Sequence, residues 1–219
     1  MRRPLICAVA ACGFLSTLLT VDVSAQSFID DNINPTTLQV FKIEEDWRLE
    51  VGEPDTKVTA PQITTTLSPN AHLDGIHAIF NLNHQALDQF APGGMQLQVW
   101  NGDTPVSFVQ ISPDAELETI GEVVTWTQRM TVHEGRIYFR IKDGHSTTWG
   151  DFGDDYSLLE SITYGSTDLN SYNPTVSVEN SGVTFAGNRV DCLVLERVRI
   201  YTKDGQVFTV ELNLHADHH

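Results

Sequence analysis

Between residues 123 and 142, apolar and polar side chains alternate with little interruption. Val124, Trp126, Met130 and Val132 share one parity, broken only by Gln128. After His133-Glu134-Gly135, Ile137, Phe139 and Ile141 alternate with Arg136, Tyr138, Arg140 and Lys142. A period of two sends one set of side chains to a core and the other to water. Two such runs joined by a short glycine-containing turn predict an antiparallel hairpin.

The same period recurs along much of the chain, whereas helical periodicity is almost absent. Strands are predicted at 45–51 (EDWRLEV), 60–67, 76–82 (IHAIFNL), 95–100 (MQLQVW) and 106–111, all before the hairpin. Further strands are predicted at 158–164, 175–178, 183–185, 191–201 and 206–214. Residues 28–42 read as a docked arm or an edge strand, and 84–90 (HQALDQF) as one helical turn stopped by Pro92-Gly93-Gly94. Turn chemistry marks 52–55, Asn101-Gly102 and Lys203-Asp204-Gly205, while 113–118 reads as an acidic loop. Short strands at this spacing, roughly ten to twelve of them, predict an all-β antiparallel sandwich or barrel. With no internal repeat or long linker, 26–219 is expected to form a single domain.

The first residues change the picture of where the chain works. Arg2 and Arg3 precede an apolar run over 5–21, and Val23-Ser24-Ala25 places small residues ahead of a cleavage point. This is the order of a secretory signal peptide, expected to occupy 1–25. A protein that is secreted, or held in the periplasm or outside the cell, is the expectation, with no membrane span in the mature chain. Cys7 and Cys12 would leave with the signal, so Cys192 would have no intramolecular disulfide partner. Its run, Asp191-Cys192-Leu193-Val194-Leu195, suits a small hydrophobe. The formal net charge is −16, and cleavage makes it more negative because Arg2 and Arg3 leave with one acid, Asp22. Nucleic acid and anionic lipid surfaces are thereby poor partners, since binding them needs a positive footprint. Calcium, cationic surfaces and neutral polymers remain, beside the plain role of keeping an exported protein soluble.

A resemblance can be stated on particular residues. Val124-Thr125-Trp126 followed by 136–144 (RIYFRIKDG) resembles the central hairpin of concanavalin-A-like jelly-roll modules, laminin-G-like ones included. Phe185-Ala186-Gly187 followed by 194–201 (VLERVRIY) is similar to the closing strand of such modules. The chain as a whole is similar to uncharacterised secreted bacterial proteins. The resemblance implies an antiparallel jelly-roll sandwich, a fold that hosts many functions and names none.

Candidate chemistry gathers in the polar loop 143–156 (DGHSTTWGDFGDDY). Asp151, Asp154 and Asp155 offer hard oxygen ligands to calcium, although their spacing is not that of an EF-hand and a solvated acidic loop explains them as well. Trp149 and Tyr156 in that loop, with Trp100 and Tyr138 elsewhere, are candidate stacking platforms for a polysaccharide; the alternative is packing in the core or at its rim. A glycosidase needs two facing carboxyl groups, for which Glu122, Glu134, Glu160 and Glu196 are candidates. Glu196 shares parity with Cys192, Val194, Val198 and Ile200, which predicts that it faces inward. The Glu-x-Asp-x-x-Glu run of jelly-roll glucanases is absent, as are the serine elbow, the His-Glu-x-x-His helix and the phosphate loop. His215, His218 and His219, with Asp217, could hold a transition metal loosely or simply form a frayed tail. The expectation is an exported, non-catalytic, carbohydrate-binding module. The alternatives are a polysaccharide hydrolase or lyase on the same fold, and a structural or cell-surface protein.

Overall fold

The computed structural model describes residues 38–53, 61–84, 93–115 and 117–216. The expected signal peptide at 1–25, residues 85–90 of the expected helical turn, and Asp217, His218 and His219 lie outside them.

Alternation becomes a pair of antiparallel sheets. The larger sheet holds β1 (Val40–Val51), β6 (Val123–His133), β7 (Arg136–Ser146), β8 (Gly150–Phe152), β9 (Leu159–Thr163), β11 (Val190–Thr202) and β12 (Val207–His215). These seven run in the order β12-β11-β1-β6-β7-β8, with β9 also paired to β7. The smaller sheet, of five strands, is built from β2 (Gln62–Leu67), β3 (Ile76–His84), β4 (Gly93–Asn101), β5 (Thr104–Ala115) and β10 (Gly182–Phe185). Its order is β10-β2-β3-β4-β5. The molecule is therefore an all-β antiparallel sandwich. Among the described residues, no helix is long and apolar enough to cross a membrane.

The central hairpin forms as its pattern dictates. Val124, Trp126, Gln128, Met130 and Val132 are all buried, as are Ile137, Phe139 and Ile141. His133 pairs with Arg136 across a two-residue turn in which Glu134 and Gly135 both have positive φ, 48° and 73°. That is the type I′ geometry that matches strand twist, and glycine at the second position adopts it without strain.

Trp126 occupies the middle of the core. Its ring lies parallel to Trp47 of β1, with centroids 6.5 Å apart, and meets Phe80 of the facing sheet at 5.9 Å. Phe80 continues to Phe152, and Phe152 to Trp149 at 5.3 Å, so an aromatic chain crosses from one sheet to the other and out to the rim. Gly144 makes this possible, because a Cβ there would stand 2.5 Å from the Phe152 ring.

Four local expectations are corrected. Residues 175–178 are not a strand: Pro174–Glu179 is a short helix, α1. Asn173 caps it by accepting from the Thr175 amide, and proline follows at the first helical position, a pairing that outweighs the β-branched residues behind it. Residues 113–115 of the expected acidic loop instead extend β5. β1 begins at Val40, well before the predicted start at residue 45. Glu196 does not face inward, because the register slips between Leu195 and Arg197 against both neighbouring strands. This β-bulge reverses parity, so Leu193 and Leu195 on one side and Val198 and Ile200 on the other point inward while Glu196 is exposed.

Candidate functional site

The four aromatic candidates are not brought together. Trp149 packs on Phe152 and the core rather than standing free in its loop, and its indole N–H is buried. Tyr156 is 63% exposed, with the Arg140 guanidinium 3.8 Å from its ring centre. Tyr138 lies on the outward face of β7 and Trp100 on the outward face of β4, hence on opposite sides of the sandwich.

The three aspartates of the loop also turn to separate partners. Asp151 bonds His145 Nδ1 at 2.6 Å, Asp154 accepts from the Asp143 amide at 3.2 Å, and Asp155 accepts from the Ser157 amide at 3.0 Å. The Ser157 hydrogen bonds hold the Asp155 carboxyl below its ordinary value. Together with Ile111, Phe152, Gly153 and Ser157 they line an open groove of about 290 Å³. Among the described residues, no group of three or more His, Cys, Asp or Glu side chains is placed to hold a metal ion.

The carboxyl candidates are dispersed as well. Glu122 precedes β6 and takes the Ser146 and Thr148 hydroxyls, whereas Glu134 stands in the turn at the other end of that 11-residue strand. Glu160 accepts from Ser107 at the seam between the sheets. One carboxyl that sequence patterning passed over has the most altered acidity. Glu45 points into the core at 0% exposure and accepts from Tyr172 OH at 2.7 Å, Ser177 Oγ at 2.6 Å and Trp47 Nε1 at 3.0 Å. Burial pushes its pKa up to about 7 against the pull of these three donors.

Two outward faces remain, and they differ in chemistry. On the five-stranded sheet, the outward positions of β4 are Gln96, Gln98 and Trp100, which follow from the alternation of QLQVW once Met95, Leu97 and Val99 go inward. Trp100 Nε1 donates to Gln98 Oε1 at 2.9 Å, Gln98 Nε2 donates to Gln96, and Gln96 Nε2 reaches Gln110 of β5 at 3.4 Å. Register sets Phe108 directly opposite Gln98 and Ile79 on its other side. Asn81 and Thr64 continue the polar row, hydrogen-bonded at 2.8 Å. Phe108 is 64% exposed. Among the described residues, this face is a ladder of amides and hydroxyls without Asp, Glu, Lys or Arg, with the Trp100 and Phe108 rings beside Gln98 and His77 paired to Trp100.

The outward face of the seven-stranded sheet is ionic. Glu44 of β1 is its hub, 2.6 Å from Arg129 of β6, 3.2 Å from Arg199 of β11 and 2.7 Å from Tyr201 OH. Burial raises the Glu44 carboxyl, but the Tyr201 and Arg129 hydrogen bonds outweigh it and leave it below its ordinary value. Asp46, two residues along, takes Arg197 and Arg199, both at 2.6 Å, and the Thr127 hydroxyl at 2.7 Å. Thr125 and Thr127 are short, so a depression of about 320 Å³ opens above them between Arg197 and Asp143. Lys42 sits over the Tyr201 ring at 3.4 Å.

No protein-family model matches the chain, and no curated protein sequence matches it.

Proposed function

We propose that the protein is an exported, non-catalytic binding module that holds a neutral polysaccharide on the outward face of its five-stranded sheet. The observation that carries this reading is the amide ladder of Gln96, Gln98 and Gln110, with the Trp100 and Phe108 rings both beside Gln98. Sugar rings offer C–H faces that pack on aromatic rings, and hydroxyls that both donate and accept. Each ladder glutamine uses part of its hydrogen-bonding capacity internally, so the partly exposed Gln98 and the exposed Gln110 keep donors and acceptors for a ligand. The described part of the face carries no Asp, Glu, Lys or Arg, which suits an uncharged ligand, since no ion there needs to be stripped of water when it is covered.

The catalytic alternative has less support. A general acid must be both raised in pKa and reachable. The raised carboxyl of Glu45 is sealed between the sheets, and the outward Glu44 is shifted the other way.

The test is calorimetric titration against neutral β-glucan, xylan and galactomannan, with the protein as it stands and with Phe108→Ala. Phe108 is largely exposed, so its loss should leave the melting temperature unchanged while weakening binding by about tenfold, the cost of a stacking ring. No binding to any neutral polysaccharide would overturn the proposal.

A further inference from the structure

We infer that the outward face of the seven-stranded sheet is a second binding surface, one that takes an acidic polysaccharide carrying carboxylate or sulfate groups. The chain is acidic overall, with 13 Lys and Arg against 29 Asp and Glu. Its basic residues are nonetheless concentrated on this face. β7 contributes Arg136, Arg140 and Lys142, β6 contributes Arg129, β1 contributes Lys42, and β11 contributes Arg199.

At the centre of the face the carboxylates of Glu44 and Asp46 lie under the cations, whereas Glu50, Asp143 and Glu211 at its margins are at least as exposed as the basic side chains they pair with. The Glu44 side chain is 3% exposed, whereas those of Arg129 and Arg199 are 28% and 25% exposed. One buried carboxylate is shared between Arg129, Arg199 and Lys142. At the centre of the face a ligand therefore meets the cations of Arg129 and Arg199 before the carboxylate beneath them. Lys42 reports the crowding: burial, and then repulsion from Arg129, Lys142 and Arg199, hold its ammonium below its ordinary pKa despite Glu44. An anion laid across the face would relieve that repulsion.

Geometry and charge density favour a saccharide among polyanions. Arg199, Arg129 and Arg140 fall in one row across β11, β1, β6 and β7, and neighbouring strands lie roughly 5 Å apart. Glu44 fills the β1 place in that row, so the guanidinium groups stand roughly 10 Å and roughly 5 Å apart, spacings of the order of two sugar residues and one. Arg129 and Arg199 share Glu44, and Arg140 donates to the Gly153 and Asp154 carbonyls, so an oxyanion takes the N–H groups these contacts leave over. Tyr138 and Tyr201 lie one row away on the same face, where ring stacking and hydroxyl contacts are available. Duplex DNA carries about one charge per 1.7 Å, and the acidic remainder of the chain repels so dense a polyanion more than a sparsely charged glycan.

The test compares dextran sulfate and polygalacturonate with unmodified dextran in affinity electrophoresis at about 0.15 M salt, where screening reaches about 8 Å. Retention by at least one acidic polymer, lost at about 1 M salt, is expected, with none by dextran. The variant carrying Lys42→Gln and Arg136→Gln leaves Glu44 its Arg129 and Arg199 partners, so it should keep its melting temperature and lose about tenfold in affinity for the acidic polymer. Phe108→Ala should leave that affinity untouched, which separates failure here from failure of the neutral face. The inference is overturned by no retention of either acidic polymer, by retention that survives the double substitution, or by equal affinity for duplex DNA.

Discussion

The two outward faces stand on the same core and solve the same problem in different ways. On the seven-stranded sheet, the outward side chains bond between strands: Glu44 and Asp46 of β1 reach Arg129 and Thr127 on one side and Arg197 and Arg199 on the other. On the five-stranded sheet, a chain of neutral contacts runs along β4 itself, from Trp100 to Gln98 to Gln96, with neutral cross-strand bonds from Gln96 to Gln110 and from Thr64 to Asn81. The first arrangement clamps β6, β1 and β11 together through charge. The second stiffens one strand and leaves amide groups open to solvent. A sheet's outward chemistry is thus free to vary once its inward half is apolar, and here one half became ionic and the other neutral.

Trp126→Ala should damage both faces at once, because Trp126 touches Trp47 beneath the ionic sheet and Phe80 beneath the neutral one. Deleting a buried indole costs about 3–5 kcal/mol. The melting temperature should fall sharply, and loss of one binding activity alone would show that the faces do not share this support.

Within β1, adjacent carboxyl groups give the comparison at its sharpest, since the pleat sends Glu44 outward and Glu45 inward. Glu45 has a raised pKa of about 7 against an ordinary 4.5. The folded chain then holds more protons than the unfolded chain between those values, so this group's contribution is full below about pH 4.5 and is lost as pH rises to about 7. At about 1.4 kcal/mol per tenfold change in proton affinity, the loss is on the order of 3 kcal/mol. Glu44 is shifted down, so its contribution is present above its ordinary value and lost as pH falls through the lower one. Chemical denaturation from pH 4 to 8 should show Glu45→Gln flattening the decline toward neutral pH. A variant with the same slope as the unmodified chain would remove Glu45 as its source.

Much of the fold was legible in alternation because each strand of the hairpin has one apolar face. The limits are physical. Glu45 interrupts the inward series of Ile43, Trp47 and Leu49 with a charge-bearing residue, so β1 looked shorter than it is. The bulge at Glu196 reverses parity without any glycine or proline to mark it. Trp100 could be singled out as a ring of interest, but the neutral face also needs Phe108, and only the β4–β5 register places the two on one surface. The ionic face is a set of alternate charges in four strands whose adjacency no local pattern encodes.

Replacing one residue at the centre of each face should expose the difference in their bonding. Glu44→Gln removes the hub and leaves Arg129, Arg199 and Lys142 facing one another, at a cost of about 2–3 kcal/mol, below the full value for a buried pair because the cations are partly exposed. Added salt should restore part of it by screening the cations. Gln98→Ala removes two neutral hydrogen bonds and should cost about 1 kcal/mol with no salt dependence. Equal losses with equal salt responses would mean that the two faces are not held by different forces.

The smallest effect is expected where the acidic loop borders the ionic face. Asp151, Asp154 and Asp155 each have a partner of their own, His145, the Asp143 amide and the Ser157 amide. A calcium site needs several oxygens converging on one point, and ligand binding to the folded state alone would stabilise it by about 2.7 kcal/mol at a hundredfold excess over the dissociation constant. Carboxylates turned to separate partners would have to abandon those bonds before converging. Melting curves in millimolar calcium and in chelator should therefore superimpose, and Asp154→Asn should shift both by the same small amount, within about 0.5 kcal/mol for an exposed position. A stabilisation by calcium that disappears in Asp154→Asn would show that the loop rearranges around an ion, and the border of the ionic face would then be a metal site.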